Sequence, residues 1–319
     1  MTPSTPSAVL GLAASQLREV SRQPVFGVGV ALGAALIALS PALAMFSLGR
    51  AEALVLDLGA SAMLFFGALI AATAVATATA ERLQDGTATL VLTRPVGAFA
   101  WIAGGFLGSA AALLQAGVLL GTILLMVARN GPSTLHRGVI FPAVVAVLAS
   151  LAWGVRTSLA GRAFQPAALL AATWLLPVAY LGGLCIDRGV RLGTPDAIDG
   201  VALTAATLAT LAAIAFAALG TCLATRLTPA AAAALTLVGF VLASLVQPAT
   251  AATSTFGSIA AGALALVVPD LQLFWITDAA YTGALVPLDY VLGVAGYVGL
   301  YVVGALGVGG WLLGGRELG

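Results

Sequence analysis

Residues 78–97 read ATAERLQDGTATLVLTRPVG. Glu81, Arg82, Asp85 and Arg94 fall within fourteen positions there, while the chain on either side is built mostly from Ala, Leu, Val and Gly. Only 8% of the 319 residues are charged and 61% are hydrophobic, with a mean hydropathy of +1.10. A water-soluble domain carries about 25% charged residues. This chain has too few polar groups to cover a globule, and the bilayer is the solvent in which helices can be apolar all round. The charged island therefore interrupts a membrane-embedded chain. The fold class that follows is all-α, a polytopic transmembrane helix bundle.

A spanning helix needs about 20 mostly apolar residues. Working outward from the island, the runs 25–47, 58–80, 97–128, 138–155, 164–186, 200–224, 230–247 and 286–313 qualify. They predict about eight spans. The run 97–128 exceeds one crossing, so tilt or a surface extension must absorb its excess. Between 138–155 and 164–186 stands RTSLAGRAF, short enough for a tight hairpin. The apolar piece 256–268, bracketed by Pro248 and Pro269, is too short to cross and predicts a re-entrant or interfacial segment within 248–285.

All 13 basic residues are Arg. With the N-terminus inside, Arg18, Arg22, Arg82, Arg94, Arg156, Arg162, Arg226 and Arg316 are cytoplasmic, and Arg50, Arg129, Arg137, Arg188 and Arg191 are outside. Positive charge favours the inside, so the expected topology is N-in and C-in. The island then faces the cytoplasm. Residues 1–24 form a separate tail. Val9, Ala13, Leu17 and Val20 recur at helical spacing, with Ser15, Gln16, Arg18, Glu19 and Arg22 elsewhere on the wheel. This predicts an amphipathic helix in the cytoplasmic interface, with Ser7 as its cap. Residues 25–319 make one transmembrane domain. Ala42-Leu43-Ala44 resembles a signal-peptidase site, but the apolar run before it is long enough to span, and we expect it to be retained.

Several chemistries are excluded. There is no Lys, hence no phosphate-binding GxxxxGK[ST] and no Schiff base. His136 is the only histidine, so no HExxH metal site exists and no metal is expected. With a net charge of +1, nothing suggests nucleic acid. Cys185 and Cys222 lie far apart in apolar runs and read as free thiols. No carboxylate falls mid-span, where proton and ion pathways place them. The bundle has no visible energy source of its own. Gly104/Gly108 and Gly117/Gly121 stand at GxxxG spacing, although 38 glycines make chance pairs common.

The island itself has a readable shape. Residues 80–85 can continue the preceding helix, Gly86 can end it, and Pro95 can open the next at its first turn. The run Glu81-x4-Gly86-Thr87-x2-Leu90-x3-Arg94-Pro95-Val96, followed by Gly104-x3-Gly108, resembles the ABC-2 type transporter permease family. So do VPDLQLFWITDA with Tyr290, Tyr297 and Tyr301, the closing GRELG, and the amphipathic helix, which is similar to that family's elbow helix. Two positions depart from the family pattern: Gly105 stands where Lys is usual, and Ala98 where Arg is common.

The resemblance implies the membrane subunit of an ATP-binding-cassette exporter in the cell (inner or plasma) membrane. It implies no catalysis and no bound cofactor in this chain, since ATP is bound by a separate partner subunit. A second permease, identical or not, would complete the assembly. Residues 81–95 become the coupling element, with Glu81, Arg82, Asp85, Gly86, Thr87, Arg94 and Pro95 as its contact residues. Asp270, Phe274 and Trp275 become candidates for an outer gate. The family core has six spans, so 138–186 reads as an added pair. A secondary transporter and a non-transporting scaffold subunit are the alternatives that the residues leave open.

Overall fold

The computed structural model describes residues 5–45, 51–84, 97–130, 137–186, 198–250, 267–276 and 286–314. Among them every regular element is helical. In chain order these are α1 (Thr5–Arg22), α2 (Pro24–Ala44), α3 (Ala51–Ile70), a π-helical turn (Ala71–Val75) and α4 (Ala76–Gln84). After the loop come α5 (Ala98–Asn130), α6 (Arg137–Leu159), α7 (Phe164–Ile186), α8 (Gly200–Ala224) and α9 (Pro229–Thr250). A 3-10 turn (Leu271–Phe274) and α10 (Leu288–Gly314) complete the order.

Among the described residues, seven helical segments are long and apolar enough to cross a membrane: α2, α3 through α4, α5, α6, α7, α8 and α10. The eighth expected span, 230–247, falls on α9, a helix of 22 residues. Expected and observed boundaries agree within a few residues except at 58–80. That helix runs from Ala51 to Gln84. Hydropathy trimmed it at Glu52, Asp57 and the island, but backbone hydrogen bonding continues through charged residues as readily as through apolar ones.

The core is built on α8. Ala and Gly fill its contacts, and 61% of its apolar window is buried, against 22% and 28% for α6 and α7. It packs on α3, α5, α9 and α10. Lipid tails are as apolar as Leu, so helices in a bilayer associate by close packing, which small residues permit. The α6–α7 pair packs chiefly on itself and meets the core through α7, on α5 and α1. The expected tight hairpin is present. Gly161, at φ 78°, is the only described residue with positive φ. Its N–H donates to Ser158 O at 2.9 Å, and Arg162 N–H donates to Thr157 O at 3.0 Å. These two bonds close the last carbonyls of α6 in a Schellman cap.

Candidate functional site

Two helices carry the island. The segment Ala51–Gln84 has 34 residues and α5 has 33. At 1.5 Å per residue each is about 50 Å long, against about 30 Å of hydrocarbon. Near its island end, α5 is crossed by α1. A Cβ at Gly104 would stand 2.9 Å from Leu12 Cβ and 3.1 Å from Val9 O. At Gly108 it would stand 2.7 Å from Gln16 Cβ and 2.9 Å from Leu17 N. These two glycines form the notch that receives α1. The other pair on α5 serves a different partner: Gly117 faces Thr210 and Gly121 faces Ala206, both on α8.

The amphipathic helix is thus seated on protein. Val20 is fully buried, and Val9, Leu12, Ala13 and Leu17 are half-buried. Gln16, placed on the polar face by its sequence, is 1% exposed. The notch at Gly108 explains it, because without a side chain there the glutamine stem fits against α5. Ser7 lies inside the first turn of α1 rather than capping it, since the helix begins at Thr5.

Of the seven expected coupling residues, Glu81 and Arg82 lie within the described residues. Asp85, Gly86, Thr87, Arg94 and Pro95 lie outside them. Glu81 is exposed. Arg82 turns to α1: its Nε donates to Glu19 Oε2 at 2.5 Å, and its Nη2 donates to Ser15 Oγ at 3.4 Å. Leu83 beside it is 5% exposed and joins the core. A charged pair, a glycine notch and a buried leucine therefore fix where the chain enters and leaves the island. Gln165 adds a third tie. From the first turn of α7 its amide donates to Ser21 O at 3.1 Å and Gln23 O at 2.7 Å, and so ties α7 to the junction of α1 and α2.

Between the spanning part of this arm and its charged tip lies the π turn. Its carbonyl register is widened by one residue, and nearby hydroxyls compensate. Thr73 Oγ1 donates to Leu69 O at 2.6 Å, Thr79 Oγ1 to Val75 O at 2.9 Å, and Thr77 Oγ1 to Thr73 O. Ala71, Ala72, Ala74 and Val75 are fully buried against α8 and α9. π turns of this kind recur at functional sites.

At the other end, the structure brings Asp270, Phe274 and Trp275 into one 3-10 turn. Asp270 Oδ1 caps it by accepting from Gln272 N–H at 3.0 Å. Phe274 is 2% exposed and lies with Trp275 between α3 and α8, near Leu56, Leu64 and Ala205. Three tyrosines of α10 hold the segment's backbone. Tyr301 hydroxyl donates to Val267 O at 2.8 Å, Tyr290 hydroxyl donates to Leu273 O at 2.8 Å, and Tyr297 hydroxyl accepts from Asp270 N–H at 3.0 Å. The spacings of seven and four residues place the three on one helix face. Tyr301 is the fourteenth of the 27 residues of α10. The Val267 carbonyl therefore lies opposite the middle of a helix long enough to cross a membrane. Non-helical backbone at that depth requires internal partners, and the hydroxyls supply them.

No group of three metal-ligating side chains exists among the described residues. His136 lies outside them. No protein-family model matches the chain, and no curated protein matches it. Sequence reasoning had placed the tyrosines in the last span without their partners, and it missed Glu19, Ser15 and Gln165. A Glu nineteen residues in and an Arg at 82 carry no local signal that they meet.

Proposed function

We propose that this chain is the permease subunit of an ATP-binding-cassette transporter, an exporter with about eight spans in N-in, C-in orientation. A separate ATP-binding subunit drives it by pressing on residues 81–95. The observation that carries the reading is the island's mounting. It sits on two over-long helices braced by α1, with the Glu81 carboxylate exposed at the tip and Arg82 committed inward to Glu19. A plain connecting loop has no need of such bracing. The ATPase's state would bias a two-state bundle. The π turn is the point where the arm can change register relative to α8 and α9, and the 3-10 turn at Asp270, Phe274 and Trp275 is the outer gate.

The resemblance of 81–108 to ABC-2 permeases supplies the partner class. The exposed Glu81 should accept charge-assisted hydrogen bonds worth about 1–3 kcal/mol where the contact is desolvated. Glu81→Ala is therefore expected to lower recovery of the ATPase in mild-detergent co-purification and to slow transport. Full recovery with unchanged transport would refute the assignment. A second variant tests the arm itself. Deleting Ala72 removes the extra residue of the π turn and restores a continuous α-helix without rotating the faces of α3 and α4. ATPase binding should survive while transport is lost. Undiminished transport would show that the π turn is packing only.

A further inference from the structure

We propose a phospholipid-binding site between α5, α7 and α8, with an apolar slot for an acyl chain and a polar cap for the phosphate and ester oxygens at Tyr180 and Arg129. The inference is independent of the ATPase partnership. A cavity of about 310 Å³ lies among these helices, lined by Gly121, Leu125, Pro177, Leu203 and Thr207, among others. That volume is within the usual range of small-molecule sites, about 300–1,000 Å³. Its wall includes Leu114, Val118 and Leu203, each 44–50% exposed, so the slot opens on the side of the bundle. The hydroxyls of Thr122, Thr207 and Thr210 are turned back to carbonyls of their own helices and leave the slot apolar.

The cap follows from helical register. Arg129 is four residues beyond Leu125 on α5, Tyr180 three beyond Pro177 on α7, and Asp199 four before Leu203 on α8. Each lies one turn from a cavity-lining residue, on the same face and toward the same end. Tyr180 is 3% exposed, and its hydroxyl has no hydrogen-bond partner among the described residues. A buried phenol is normally paired. Asp199 Oδ1 accepts from Val201 N–H at 2.9 Å and Ala202 N–H at 3.0 Å as the cap of α8. A donor hydroxyl and a guanidinium above an apolar slot complement an oxygen-rich, phosphate-bearing head on a hydrocarbon tail.

The test uses the full-length protein in mild detergent, with a phospholipid carrying a photoactivatable diazirine on its acyl chain. Mass mapping should place the label on residues 114–125 and 203–211. Thr207→Phe, at an exposed lining position, should reduce that label to the level found on the exposed face of α10. Tyr180→Phe should raise the half-saturating lipid concentration about fivefold, the equivalent of one neutral hydrogen bond. Unlabelled phospholipid should compete, and diacylglycerol with the same chains should compete poorly. Label spread evenly over all exposed helices, insensitivity to both substitutions, or equal competition by diacylglycerol would each overturn the proposal.

Discussion

The two ends of this bundle are fastened by different chemistry. At the island end, α1 is held by a glycine notch and by the pair Arg82–Glu19, whose side chains are 15% and 36% exposed. At the other end, the segment 267–274 is held by three neutral hydroxyls of α10. The difference follows from the surroundings. An ion pair half in water needs little desolvation and contributes little. A charge opposite the middle of a spanning helix would be costly, whereas a phenol brings an apolar ring with a single donor and acceptor.

The comparison breaks most visibly at the notch. Gly108→Leu would drive a side chain into α1, where the nearest atoms include the main-chain Ala13 O and Leu17 N, which cannot yield. It should destabilise the folded protein by about 3 kcal/mol, read as a lower midpoint in thermal unfolding in detergent. Gly105→Leu is the control. Nothing lies within 4 Å of a Cβ at Gly105, and the midpoint should hold. Next come the hydroxyls. Tyr301→Phe leaves the Val267 carbonyl without its donor, and Tyr297→Phe leaves the Asp270 N–H without its acceptor. Each should cost about 1–3 kcal/mol and loosen the 267–274 segment in hydrogen exchange, equally at low and high salt. The smallest effect is expected from Glu19→Gln, about 1 kcal/mol or less. It should shrink further as salt rises, because surface charges are screened. A salt-sensitive tyrosine variant or a salt-insensitive Glu19 variant would reverse the contrast.

The spans were legible because apolar length is a one-dimensional property. The runs 164–186 and 200–224 coincide with α7 and α8, and the α6–α7 turn was readable in its shortness. The π turn was not. Ala71–Val75 differs little in composition from its neighbours, and the extra residue shows only in where the carbonyls point. The role of Gln16 was misread for a related reason. A helical wheel ranks residues by their own polarity, while burial at that position is decided by the absent side chain of Gly108, ninety-two residues away. The GxxxG spacing was visible in both pairs on α5. What it could not disclose was that one pair receives α1 and the other α8.

By itself, then, the sequence determined the solvent, the helical class, the approximate spans and the charged tip between two of them, because each depends only on the hydropathy and helical propensity of residues near one another. Tertiary structure decided which groups face each other across those helices. It paired Arg82 with Glu19, seated α1 in the Gly104–Gly108 notch, and set three tyrosines on the backbone near Asp270. It also placed the partnerless hydroxyl of Tyr180 in the interior of the bundle. Such meetings depend on the register and rotation of packed helices, which are set by close contact of small residues and leave no pattern along the chain.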